Sequence, residues 1–204
     1  ELRTHIQTWS KNWLLTVEFD FEEGTPDYPY YAVSAVFNYG YGPQAIPYGK
    51  AHGKDLTRTI TVPANAESTH LRTAITGWGH ATPVDADGRP CAEWCYRTHD
   101  VKIDNANTFS HYMGPIGCGN NPIAPQNGNW APDRAGWCPG MGVPIRRDDF
   151  NSNIAGKSFD LEYDFEDWTT DGGNTSGNPG AFYSLSQVIV VKSNTEIVKP
   201  TVIE

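Results

Sequence analysis

Apolar and polar positions alternate along most of this chain, and no window keeps the 3.6-residue period of an amphipathic helix. Val17, Phe19 and Phe21 share one face of a first predicted strand, and residues 31–37 form the next. Further strands are predicted over 56–62, 70–77, 96–103, 158–165 and 182–191, all rich in β-branched or aromatic residues. Clusters of Gly, Pro, Asn and Asp at 23–29, 39–49, 82–90, 114–128 and 169–180 separate them. The pattern predicts an all-β protein, an antiparallel two-sheet jelly-roll sandwich with long loops and no internal repeat. Leu2, Thr4 and Ile6 alternate as well, so residues 1–9 read as a strand. That strand is either an edge of the following domain or, the preferred expectation, the continuation of an upstream domain. On the preferred expectation residues 1–27 are a linker strand and 28–204 the domain proper.

Composition narrows the class. A chain of 204 residues can bury a substantial core as one domain. Its formal charge of −9 argues against nucleic acid or an anionic membrane surface as partner. No apolar run is long enough to span a bilayer, and no leader pattern is present. Sparse charge and abundant aromatics suit a secreted or periplasmic, saccharide-facing β protein. The four cysteines, Cys91, Cys95, Cys118 and Cys138, are expected to pair as Cys91–Cys95 and Cys118–Cys138 among three possible connectivities. A zinc site is the alternative, but a CxxxC followed by two isolated cysteines matches structural zinc poorly. Disulfides would place the chain in an oxidising compartment.

Chemistry concentrates around those cysteines, in Gly77-Trp78-Gly79-His80, in Cys91-Ala92-Glu93-Trp94-Cys95 and in residues 128–140. Glu93, clamped between two cysteines and next to an indole, is a candidate general acid–base or water-orienting group. Its bland alternative is an ion pair with Arg97 or another surface cation. Arg134 could stabilise negative charge developing on a carbonyl oxygen, or simply pair with Asp133. Trp9, Trp78, Trp94, Trp130 and Trp137 are candidate stacking platforms, and at least two are expected to face a cleft. The histidines give no metal signature; His111 and Met113 are the nearest approach to a copper site. The loop 114–128 leads into the tryptophan-rich segment and is expected to be functional. The loop 169–180 reads as a solvated connector, and its Asn174-Thr175-Ser176 sequon decides nothing.

These motifs, with residues 24–28, 47–52, Arg97-Thr98-His99, 105–109 and 129–141, resemble the bacterial peptide-N-glycosidase F family over essentially the whole chain. The resemblance implies a hydrolase: an amidase cleaving the bond between asparagine and the first N-acetylglucosamine of N-linked glycans on glycopeptides and glycoproteins. It also implies two jelly rolls flanking a cleft, no metal or other cofactor, and the disulfide pairing above. Glu93 then matches the family's essential glutamate and Arg134 its supporting arginine. Trp9, Trp78, Trp94 and Trp137 match aromatics in or near the cleft, and His80 joins them as a substrate-binding candidate. Two departures stand out. The family's principal catalytic aspartate belongs to the first jelly roll, which has no counterpart here, so that domain is an expected partner as a separate or cleaved chain. Gln7 replaces a contributory glutamate, and an amide cannot accept a proton as a carboxylate does. A non-catalytic module that binds the glycan's chitobiose core is the competing expectation.

Overall fold

The computed structural model describes residues 16–40, 44–48, 55–122, 124–150, 153–168 and 180–204. Two antiparallel five-stranded sheets face each other across one core. The first has the order β1-β11-β4-β9, built from β1 (Tyr30–Tyr39), β11 (Phe182–Ser193), β4 (Ser68–Trp78) and β9 (Arg146–Asp149), with short β2 (Ile46–Pro47) also on β11. The second runs β12-β3-β10-β7-β8, from β12 (Thr201–Ile203), β3 (Leu56–Thr61), β10 (Ser158–Asp164), β7 (Arg97–Ile103) and β8 (Ala106–Met113). A small ribbon of β5 (His80–Ala81) and β6 (Cys91–Ala92) stands apart.

The period-two pattern explains which face is buried. Leu185, Gln187, Ile189 and Val191 of β11 point inward toward Leu161, Tyr163 and Val101 of the other sheet, and all are sealed from solvent. On β1 a bulge between Ala35 and Phe37 breaks the alternation, so Val36 and Phe37 are both buried. The interior also takes in polar groups. His111 lies between the Tyr163 hydroxyl (3.3 Å) and Asp148 (2.9 Å). Thr73 accepts from Gln187 at 2.8 Å, while His99 Nδ1 accepts the Glu166 backbone N–H at 3.0 Å.

The six strands predicted from residue 31 onward are all present. The strand expected around Val17, Phe19 and Phe21 is not: residues 16–29 form no strand, and those side chains are 45%, 52% and 90% exposed. Alternation creates a strand only where a neighbour completes the ladder, and this segment has none among the described residues. Within the expected 39–49 loop, Ile46 and Pro47 instead pair with β11. The strands β8, β9 and β12 went unpredicted because they are short or polar. For β8 a local signal existed: Asp104 and Asn105, with φ of 50° and 65°, make the tight hairpin joining it to β7. The 1–9 strand, Gln7, Trp9 and most of the 169–180 loop, with its sequon, lie outside the described residues.

Candidate active site

At the Trp78 end of β4 the main sheet meets the β5-β6 ribbon. Gly77 makes the junction possible, since a Cβ there would lie 2.2 Å from the Ala92 carbonyl oxygen. The backbone then knits the loops together. Glu93 N–H donates to Gly79 O at 3.0 Å, and Ala135 N–H donates to Glu93 O at 2.8 Å. Disulfides join Cys91 to Cys95 and Cys118 to Cys138, with Cα separations of 4.7 and 5.2 Å. The expected pairing is therefore present, and oxidised sulfurs leave no thiolates for zinc.

Glu93 and Arg134, 41 residues apart in sequence, meet here: Arg134 Nε lies 3.4 Å from Glu93 Oε1. Neither the Glu93–Arg97 nor the Asp133–Arg134 pair occurs. Arg97 pairs with Glu166 at 3.0 Å, and Asp133 turns away to accept three backbone N–H groups, from Ile116, Gly117 and Cys118, at 2.7–3.0 Å. That single carboxylate oxygen ties the 114–128 loop to the segment bearing Arg134. Glu93 keeps 18% of its side chain open to solvent, and its Oε2 has no partner among the described residues.

Arg134 is only 7% exposed, and its donors are committed. Besides Glu93 they reach the carbonyls of Pro132 (2.8 Å), Trp130 (3.4 Å) and Asn129. Its guanidinium carbon sits 4.5 Å from the Trp94 ring centroid and 5.3 Å from that of Trp137. Four hydrogen bonds thus engage the Arg134 guanidinium, one to Glu93 and three to backbone carbonyls, and they hold it beside that carboxylate.

Trp137 stacks on Trp78 with ring centroids 4.1 Å apart and donates its indole N–H to Gly77 O at 2.9 Å. At 9% exposure it backs the site. Trp78 and Trp94 are both half-buried and keep open surface. The Trp94 indole N–H donates to His80 Nε2 at 3.0 Å, so exposed His80 fixes the orientation of that ring. Trp130 is half-buried and contributes its carbonyl to Arg134. His111, in contrast, is occupied by Tyr163 and Asp148 deep in the sandwich, away from any surface where copper could bind. The sequence reading missed the close approach at Gly77; the Gly77-Trp78-Gly79 spacing was the available signal.

Comparison with known proteins shows the family to which this fold belongs. Residues 47–190 match the family described as "Peptide-N-glycosidase F, C terminal". Over 205 aligned residues the chain is 51% identical to a peptide-N(4)-(N-acetyl-beta-D-glucosaminyl)asparagine amidase F from Elizabethkingia miricola, covering 99% of this chain and 57% of that protein. It superposes with a TM-score of 0.81 on PNGase F, a glycosylasparaginase from Flavobacterium meningosepticum, at 52% identity, covering 89% of this chain and 58% of that one. PNGF-II, at 17% identity and a TM-score of 0.57, shares the fold. The chain thus spans somewhat over half the length of the first two of these relatives and 30% of PNGF-II, and it belongs to the peptide-N-glycosidase F family as a counterpart of the family's C-terminal part.

Proposed function

We propose that this chain supplies the glutamate-bearing half of an N-glycan amidase acting on N-linked glycopeptides and glycoproteins in a secreted or periplasmic setting. The observation that carries the reading is the Glu93–Arg134 contact at 3.4 Å, sandwiched by indoles and open to solvent on the carboxylate side. In the reaction, water adds to the side-chain amide carbon of asparagine. The C–N bond breaks, nitrogen takes a proton and leaves as the glycosylamine, and aspartate remains in the peptide.

The chain's groups divide this work. Glu93 Oε2 hydrogen-bonds the attacking water or the first sugar's polar groups, while Arg134 fixes Oε1 and so the carboxylate plane. Trp78 and Trp94 offer faces on which sugar rings stack, and His80 holds Trp94 at the required angle. The family resemblance assigns the remaining carboxylate to an N-terminal jelly roll, with residues 1–27 leading from it. In such a site Gln7 would hydrogen-bond but not take a proton.

Adding the upstream domain to this chain tests the reading. Glycopeptide should be converted to an aspartyl peptide and a free glycosylamine when both are present, with little conversion by the chain alone. No conversion by the combination would overturn it. A glycan-binding module is the second reading, favoured by the commitment of Arg134's donors to backbone. Chitobiose binding that survives Glu93→Ala, with no turnover beside an upstream domain, would select that reading instead.

A further inference from the structure

The outer face of the β1-β11-β4-β9 sheet, at the opposite end of β4 from Trp78, carries a recess of about 470 Å³, a volume typical of small-molecule sites. Arg72, Arg147 and Lys192 border it together with one carboxylate, Asp27, whose charge acts on Arg147, so the rim is net positive in a chain whose net charge is −9. Arg72 and Arg147 stand directly opposite each other across the β4–β9 ladder. Like charges so placed weaken a sheet unless a counter-charge lies between them. Asp149 answers Arg147, accepting from Nε and Nη2 at 2.7–3.0 Å. The side chains of Arg72 and Lys192 make no hydrogen bond or ion pair with a described residue.

His70 lies beside them, 4% exposed, with its Nδ1 buried and without a partner among the described residues. Burial first, then the neighbouring positive charges of Arg147, Lys192 and Arg72, lower its pKa against the pull of Asp149. The imidazole is therefore neutral and able to both donate and accept. Tyr28 and Tyr31 stand at the edge, and Val190 presents apolar surface between the charges. Cations, an unanswered buried ring nitrogen and two phenol rings around one hollow suit a ligand with a charged end and a ring body.

We infer that this recess binds an acidic sugar, a carboxylate or sulfate carried on a pyranose ring. The anionic group sits between Arg72 and Lys192 within reach of His70, and the ring lies against Tyr28, Tyr31 and Val190. The inference rests on this face alone and stands whether or not the Glu93 end hydrolyses glycans.

Calorimetric titration of the chain, with and without the upstream domain, tests it. The probes are N-acetylneuraminate, N-acetylglucosamine 6-sulfate, neutral N-acetylglucosamine and inorganic sulfate. Binding of one or both acidic sugars supports the inference and identifies carboxylate or sulfate as the recognised group. That binding should weaken at least tenfold in Arg72→Ala and fall with added salt, while persisting in Glu93→Gln. Arg72 is exposed, so its removal leaves the core intact, and a thermal melt of the unliganded variant verifies this. Overturning results are absence of binding to both acidic sugars, equal affinity for neutral sugar or inorganic sulfate, unchanged affinity in Arg72→Ala, or loss of binding when the upstream domain is added.

Discussion

Two of the places where this molecule buries polar groups, the Glu93 end and the interior between the sheets, treat them differently. Around Glu93, Arg134 lies between two indoles with its donors committed, yet one carboxylate oxygen still faces water. In the interior, His99, Tyr163 and Tyr183 are sealed completely, and His99 Nε2, the Tyr183 hydroxyl and Gln187 Oε1 find no partner among the described residues. Burial, with smaller contributions from His111 and Arg97, pushes the His99 pKa down to about 3, and burial raises both tyrosines. Strong perturbation of a titrating group here marks enclosure rather than chemistry. Access to solvent beside a pinned partner is the better guide to the site.

Several substitutions can break or sharpen that contrast. In the assembled enzyme, Glu93→Gln should lower the rate of glycan release by about two to four orders of magnitude while leaving the melting temperature nearly unchanged. A small rate loss would remove Glu93 from the chemistry. Gly77→Ala should destabilise the fold by about 3 kcal/mol in urea titration, because its Cβ meets backbone of the ribbon and cannot be accommodated by a side-chain shift. Full stability in that variant would refute the tight junction.

The interior should respond to pH through His99. His99 is neutral when folded and has an ordinary pKa when unfolded, so between pH 6.5 and about 3 the unfolded chain binds the extra proton. Its contribution to stability is full above pH 6.5 and fades as pH falls, by at most about 1.4 kcal/mol per pH unit. Wild type should therefore lose stability relative to His99→Gln on acidification, as read from urea midpoints at successive pH values. Parallel curves would contradict the sealed, neutral imidazole. The smallest effect is expected from Trp94→Phe, which keeps an aromatic face but loses the bond to His80. A few-fold rise in KM with little change in kcat is anticipated, whereas an equal fall in kcat would place Trp94 closer to the reacting bond.

The same contrast explains what was legible in the chain. Strands such as β4 and β11 declare themselves because one face must be buried and the side-chain period is two. The edge strand β9, Arg-Arg-Asp-Asp, buries little and carries no such signal. Conversely, Val17, Phe19 and Phe21 alternate without forming a strand, since pattern alone cannot supply a neighbour. At the site, the cysteine clamp pointed to Glu93 and the tryptophan-rich segment to Arg134. Which cation would pair with Glu93 was open, because the sequence does not show that Glu166 engages Arg97. The diversion of Asp133 onto three amides decided it, and nothing local in the sequence announces that cap.

The layered arrangement of Trp78, Trp137, Arg134 and Trp94 has an optical corollary. Indole emission depends on the polarity and charge beside the ring, and here Trp94 and Trp137 lie beside one guanidinium, with Trp78 stacked on Trp137, at the end where the proposed function places a saccharide. On the proposed function, a glycan settling on the open faces of Trp78 or Trp94 would displace water from those rings and change their fluorescence. Tryptophan emission would then serve as an unlabelled reporter of occupancy, usable even in variants that turn nothing over.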